Sequence, residues 1–350
     1  MRGHFVLDRL RELFGDFTHI NTRIQFILIG LTLLFLGLLP QMQAATQVVP
    51  VPDGCYPGFT TAEGCNALQF FGAGAGNTGV GWYSLYLIGG GNYNTGVGAG
   101  TLVLNTADSN TAVGAAALLL NTTGTLNTAL GTDALVYNDS GESNTANGAF
   151  ALFSNATGSN NTAAGAGALF SNIDGIENTA NGVNSLRSNT FGQDNTASGV
   201  GALLSNITGN FNTANGASAL QLNSTGNNNT DIGVATLFSN SAGDDNTAIG
   251  HQALFANTVS SNTAVGAGAL ANNTTGDAPG GGKDSEEGPN TALGASALNQ
   301  NTEASSNTAV GFQALGATQT GGFSTALWLQ GACQFDGAKQ RRVRLQSARE

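Results

Sequence analysis

From residue 77 to 323 the polar and apolar positions recur with a fixed short period. Asn-Thr dipeptides begin at Asn77, Asn94, Asn110, Asn127, Asn144, Asn161, Asn178, Asn195, Asn212, Asn229, Asn246, Asn262, Asn290 and Asn307. The step is 17 residues, with two steps of 16 and one of 28. The unit reads N-T-A-x-G-x-x-A-L-x-x-N-x-x-G-x-x. With the leading Asn as position 0, position 4 is always Gly, from Gly81 to Gly311. Position 8 is always Leu: Leu85, Leu102, Leu118, Leu135, Leu152, Leu169, Leu186, Leu203, Leu220, Leu237, Leu254, Leu270, Leu298 and Leu315. A second Asn holds position 11 from Asn105 to Asn301, replaced at the two ends of the array by Ile88 and Thr318. Self-similarity at so short a period belongs to stacked architectures in which each unit contacts only its neighbours.

The period also decides between helix and strand. Two glycines per unit would weaken a helix by about 1 kcal/mol each relative to Ala, and 17 residues cannot hold two helices and two turns. They can hold two strands of four or five residues and two tight turns, with Gly and Asn taking left-handed backbone conformations. The pattern therefore predicts an all-β fold: a parallel β-solenoid or flattened β-roll of about fourteen 17-residue coils. Like residues then stack about 4.8 Å apart, and aligned Asn side chains form amide ladders. Asn121-Thr-Thr and Asn206-Ile-Thr match the glycosylation pattern, but the repeat itself generates it, so both are read as ladder members. Leu118, Leu135, Leu152, Leu169, Leu186, Leu203, Leu220, Leu237, Leu254 and Leu270 form the expected inward column. Position 9 is apolar as well, at Leu119, Val136, Phe153, Phe170, Leu204, Phe238 and Phe255. On a strand, adjacent residues point to opposite faces, so this second stripe calls for a partner outside the coil.

Around the array, the first 44 residues read as an export signal. Arg2, Arg9, Arg11 and Arg23 precede an apolar run from Phe26 to Leu39, then Pro40 and the small residues Ala44 and Ala45. The run is shorter than the roughly 20 residues of a membrane-spanning helix, so no membrane span is expected in the mature chain, which would be secreted or held at the cell surface. Residues 45–76 read as an N-terminal cap in which Cys55 and Cys65 can pair in an oxidising compartment. After 323 the pattern decays. Ser324-Thr325-Ala326-Leu327 starts a unit, Trp328 takes the glycine position, and Lys339, Arg341, Arg342, Arg344 and Arg349 follow. Residues 324–350 read as a natural basic tail, a truncated end or a frameshifted one. The long step carries a polar insertion near 278–288, with Pro279 and Lys283-Asp284-Ser285-Glu286-Glu287.

Composition removes several function classes. The chain carries 51 Gly and only 9% charged residues, with a formal charge of −11. Between 77 and 323 only Arg187 and Lys283 are basic, against fifteen acidic residues. A nucleic-acid reader needs Lys and Arg against phosphate, so no nucleic acid is expected. Three His and three Cys leave little for nucleophilic or metal chemistry, and neither an enzyme activity nor a cofactor is expected. His251 reads as a solvated histidine. Asp244-Asp245 and Asp284/Glu286/Glu287 offer oxygen ligands for Ca²⁺, but the G-G-x-G-x-D calcium-roll motif is missing. The Gly72–Gly76 run lacks the lysine and strand–helix context of a phosphate loop. The threonines after each Asn occur singly, which disfavours an ice-binding plane of paired rows. Asn147, Asn181 and Asn215 recur at position 3 in every second coil, a spacing that suits a face alternation and to which the sequence attaches no function.

The N-T-A-V-G segments Asn110–Gly114, Asn262–Gly266 and Asn307–Gly311, each followed by a small residue and Leu, resemble the S-V-A-I-G repeats of YadA-like heads of trimeric autotransporter adhesins. Similar arrays precede endosialidase-type chaperone domains in fibre proteins. The resemblance covers residues 77–323 and implies a homotrimer whose rolls share an apolar seam. The 17-residue period departs from the shorter coil of those heads, and no coiled-coil stalk or barrel pattern follows. The expected function is that of a non-enzymatic fibre or adhesin segment that binds an extended ligand. The alternatives are a passive spacer or shaft, and a fragment of a protein with a further C-terminal domain.

Overall fold

The computed structural model describes residues 54–327, apart from 57, 71, 275–288 and 320–321. The expected export signal, the 278–288 insertion and the basic residues of the tail lie outside the described residues. The chain winds as a parallel β-solenoid with one short strand in each coil. Strand β1 (Gly54–Tyr56) pairs antiparallel with β2 (Thr60–Glu63), and from β2 onward the strands form one parallel sheet in sequence order, from β3 (Thr78–Val80) to β17 (Thr325–Leu327). The register is set residue for residue by the repeat, as in Thr145↔Thr162 and Ala146↔Ala163. It survives the 28-residue step, where Thr263 pairs with Thr291. The stack runs one coil past the repeat at each end. Thr61 pairs with Thr78 and Thr308 with Thr325, because Thr61-Ala62-Glu63-Gly64 and Thr325-Ala326-Leu327 keep the strand motif without the leading Asn.

The coil departs from the expected pair of four- or five-residue strands. Its only strand is the three residues T-A-x at positions 1–3, and the remainder is a chain of turns. The reason lies in the backbone. After each strand, Gly at position 4 takes φ between +112 and +152 among the copies. A side chain there would meet the next coil: a Cβ on Gly114 would lie 2.6 Å from the carbonyl carbon of Gly131. Positions 6, 8 and 16 then also take positive φ, as at Asp133 (+56), Leu135 (+53) and Ser143 (+56). Repeated reversals of this kind bend the chain too sharply for a second strand, so position 8 and position 9 belong to a turn.

The Leu column is nevertheless inward. All ten leucines from Leu118 to Leu270 are fully buried. They pack against alanines at positions 2 and 7, such as Ala146 and Ala151, in one continuous core. Positions 2 and 7 hold alanine, glycine or serine in nearly every coil, with the buried Thr101, Thr236 and Asp231 as the larger exceptions, and this narrow interior accounts for the alanine-rich composition. Both Asn positions are buried too, in two ladders. At position 0, the Asn144 backbone N–H donates to Asn127 Oδ1 at 3.0 Å and its Nδ2 to the same oxygen at 3.1 Å. At position 11, Asn155 Nδ2 donates to Asn138 Oδ1 at 2.7 Å. The Gly158 carbonyl accepts from both Asn144 and Asn155, each at 2.8 Å, and so ties the two ladders together. Polar groups buried in this way stabilise only when satisfied, and here the next coil satisfies them.

Candidate interaction surface

With the interior filled by Leu, Ala and Asn, anything the molecule does must occur on its outer faces. The sheet presents one. Positions 1 and 3 of each strand point outward while position 2 is buried. From β3 to β17 position 1 is threonine without exception, and position 3 is never charged. Every other invariant position of the repeat is either buried or holds a strained backbone. Threonine at position 1 is an invariant side chain that faces outward.

The turn side presents the other face, at positions 5, 6, 9 and 10. Tyr137 and Phe153 meet edge-to-face with centroids 5.0 Å apart, and Phe153 stacks on Phe170 at 5.0 Å and 7°. Phe150 flanks the pair and is 42% exposed. The Arg187 guanidinium lies 4.7 Å above the Phe170 ring, a cation–π contact that extends the stripe by one coil. Phe238 and Phe255 stack at 5.2 Å farther along. Toward the N-terminus, Trp82, Tyr83, Tyr86 and Phe70 form a third cluster on the same side. The four phenylalanines expected to form an outward stripe are therefore brought together two by two, although from a turn. Stacking follows directly from the repeat, since equivalent positions of adjacent coils lie one strand spacing apart.

Acidic groups sit mainly at the corner near positions 13–16. Glu177 and Asp194 stack in adjacent coils, and a hydrogen bond and charge repulsion from Asp194 raise the Glu177 carboxyl above its ordinary value. At the same corner a third, outer ladder runs opposite to the buried ones. The Asn210 N–H donates to Asn227 Oδ1 at 2.9 Å and the Asn227 N–H to Asp244 Oδ1 at 2.7 Å. Asp244 is thereby engaged in the fold. Among the described residues no three His, Cys, Asp or Glu side chains gather as metal ligands, and no helix is long and apolar enough to cross a membrane. His251 is exposed on a turn. Cys65 is an exposed free thiol, and the β1–β2 register sets the Cys55 backbone opposite Thr61. Asn121 and Asn206 are fully buried with their Nδ2 atoms spent on ladder bonds, as the ladder reading requires.

The sequence concealed one buried group. Asp231 replaces the position-2 alanine, in register with Ala214 and Ala248. It is fully buried, and neither carboxyl oxygen has a hydrogen-bond partner. Burial pushes its pKa up to about 8, against a smaller downward pull from the nearby Thr236 hydroxyl and the Leu220 backbone. The signal was a single charged letter in the T-A-x file, legible once position 2 is known to point inward.

The fold and its surfaces define a β-solenoid repeat protein with two unlike long faces. Family models and curated proteins return no match to this chain.

Proposed function

We propose that this protein is a non-enzymatic fibre or adhesin segment, exported to the cell surface or beyond, that binds an extended partner by many equivalent contacts. The observation that carries the reading is the division of labour between faces. The aromatic stripe lies on the turn side, whereas the sheet side is an uncharged column of threonines. One face has the chemistry of an apolar seam and the other that of a polar contact surface. The resemblance to trimeric adhesin heads supports assigning the seam to a homotrimer.

A rod that offers similar side chains every ~4.8 Å gains through avidity, which can exceed single-site affinity by about 10²–10⁴. Chains of four, eight and fourteen coils compared on immobilised cell-surface material test this. Retention climbing steeply with coil number is expected, with only modest weakening by salt, because the contacts are uncharged. The passive-spacer reading draws on the continuous buried ladders, which suit a stiff shaft. Absence of retention at every length would favour it.

A further inference from the structure

The sheet face is not uniform, and its middle differs from its ends. In β7 (Thr145–Asn147), β8 (Thr162–Ala164), β9 (Thr179–Asn181), β10 (Thr196–Ser198) and β11 (Thr213–Asn215), position 3 is polar or small and position 1 is exposed. Toward the ends position 3 is aliphatic, as at Val113, Leu130 and Val265, and the threonine of those strands is half-buried, although Thr230 of β12 stays exposed beside Ile232. Asparagine is disfavoured in strands, yet it occupies this strand position three times, in every second coil. The flanking coils show that Val or Leu fits the same backbone. Unlike the ladder asparagines, Asn147, Asn181 and Asn215 are exposed and bond through their amides to no other described residue. Local rules broken without structural gain mark functional positions.

The geometry points to a linear, uncharged polysaccharide as the occupant of this patch, and we infer that a β-1,4-linked hexose chain lies along the solenoid axis across β7–β11. This inference rests on the adhesin reading and names its ligand. Amides and hydroxyls both donate and accept, which matches sugar hydroxyls. The patch carries no charge, which disfavours a polyanionic or cationic ligand. The amides recur every two coils, about 9.6 Å at the usual strand spacing. An extended two-fold β-1,4 chain repeats its disaccharide on a comparable length, so each asparagine would meet the same sugar edge. Ala164 and Ser198 between them leave room for the intervening ring.

The test is titration of the purified protein with cello- and chito-oligosaccharides of two to eight sugars, with a polyuronate oligosaccharide as the charged comparison. Affinity should rise with length up to about six sugars and then level off, with either neutral series, and the polyuronate should bind at least tenfold more weakly. The triple variant Asn147→Val, Asn181→Val, Asn215→Val carries the residue found at Val113 and Val265, so it should retain the wild-type circular dichroism. It should bind at least tenfold more weakly, whereas Asn160→Ala at the acidic corner should not. Equal binding by the triple variant, or binding to neither neutral series, would overturn the inference. If the protein is still retained on cell-surface material in that case, the adhesin reading stands without this ligand. Retention on nothing removes both.

Discussion

At position 8 every coil places a leucine where an L-residue is strained, at φ between +45 and +53 from Leu85 to Leu315. That conformation costs about 1–2 kcal/mol, and complete burial of the leucine returns about 1.5–3 kcal/mol, so a smaller side chain would not hold the turn. Asp231 is the opposite case, a residue that costs stability where it stands. Its unfolded pKa is about 3.9, and its folded value is raised to about 8. The folded state therefore holds the proton more tightly between those values, and stability falls as pH rises from about 4 to about 8, then stays level with respect to this group. Asp231→Ala restores the alanine column. The variant should match or exceed the wild type at pH 5, with its advantage growing steadily to pH 8. Parallel unfolding curves across that range, with no growth in the difference, would show that the carboxyl is not buried as described.

Each coil combines one short strand, a run of turns and two interior asparagines. Much of this was legible in the sequence, because strict identity at a buried position leaves a strict signature. The parallel stacking, the inward leucines and the Asn ladders all came from letters that recur in every coil or nearly every coil. The second strand did not survive, because leucine gives no warning of a left-handed backbone. Only the Asn, Asp and Gly mixture at positions 6 and 16, as at Asn184, Gly167 and Asp194, hinted at positive φ. The aromatic pairs were legible as a stripe, but not the turn that carries them. Position 3 appeared variable until the strand exposed its outward side.

Damage to a coil should remain local, since neighbours interact only in sequence. A buried Leu→Ala change costs about 2–5 kcal/mol, and Leu203→Asp should cost more by burying a charge. Hydrogen exchange should then rise in the coils beginning at Asn178, Asn195 and Asn212, while the coil at Asn110 keeps its protection. Unchanged thermal unfolding of Leu203→Asp would contradict the inward column.

On the scale of the whole molecule, the two long faces ask for different partners. The turn side leaves Phe150 beside a stacked pair, and Trp82 and Phe70 in the N-terminal cluster, at 42%, 41% and 53% exposure, and such a stripe in water favours association. The sheet side has no aromatic residue at its outward positions and no charge from β3 to β17. Copies meeting along the aromatic side would leave the threonine sheet outward and available, and the number of sugar-binding patches would multiply with the number of chains. Light scattering of the purified protein at micromolar concentration tests this arrangement most directly. A stable mass of three chains is expected, reduced toward one chain by the double substitution Phe153→Ser, Phe170→Ser with the solenoid intact by circular dichroism. A wild-type monomer would contradict the seam and make the aromatic stripe an exposed surface of its own.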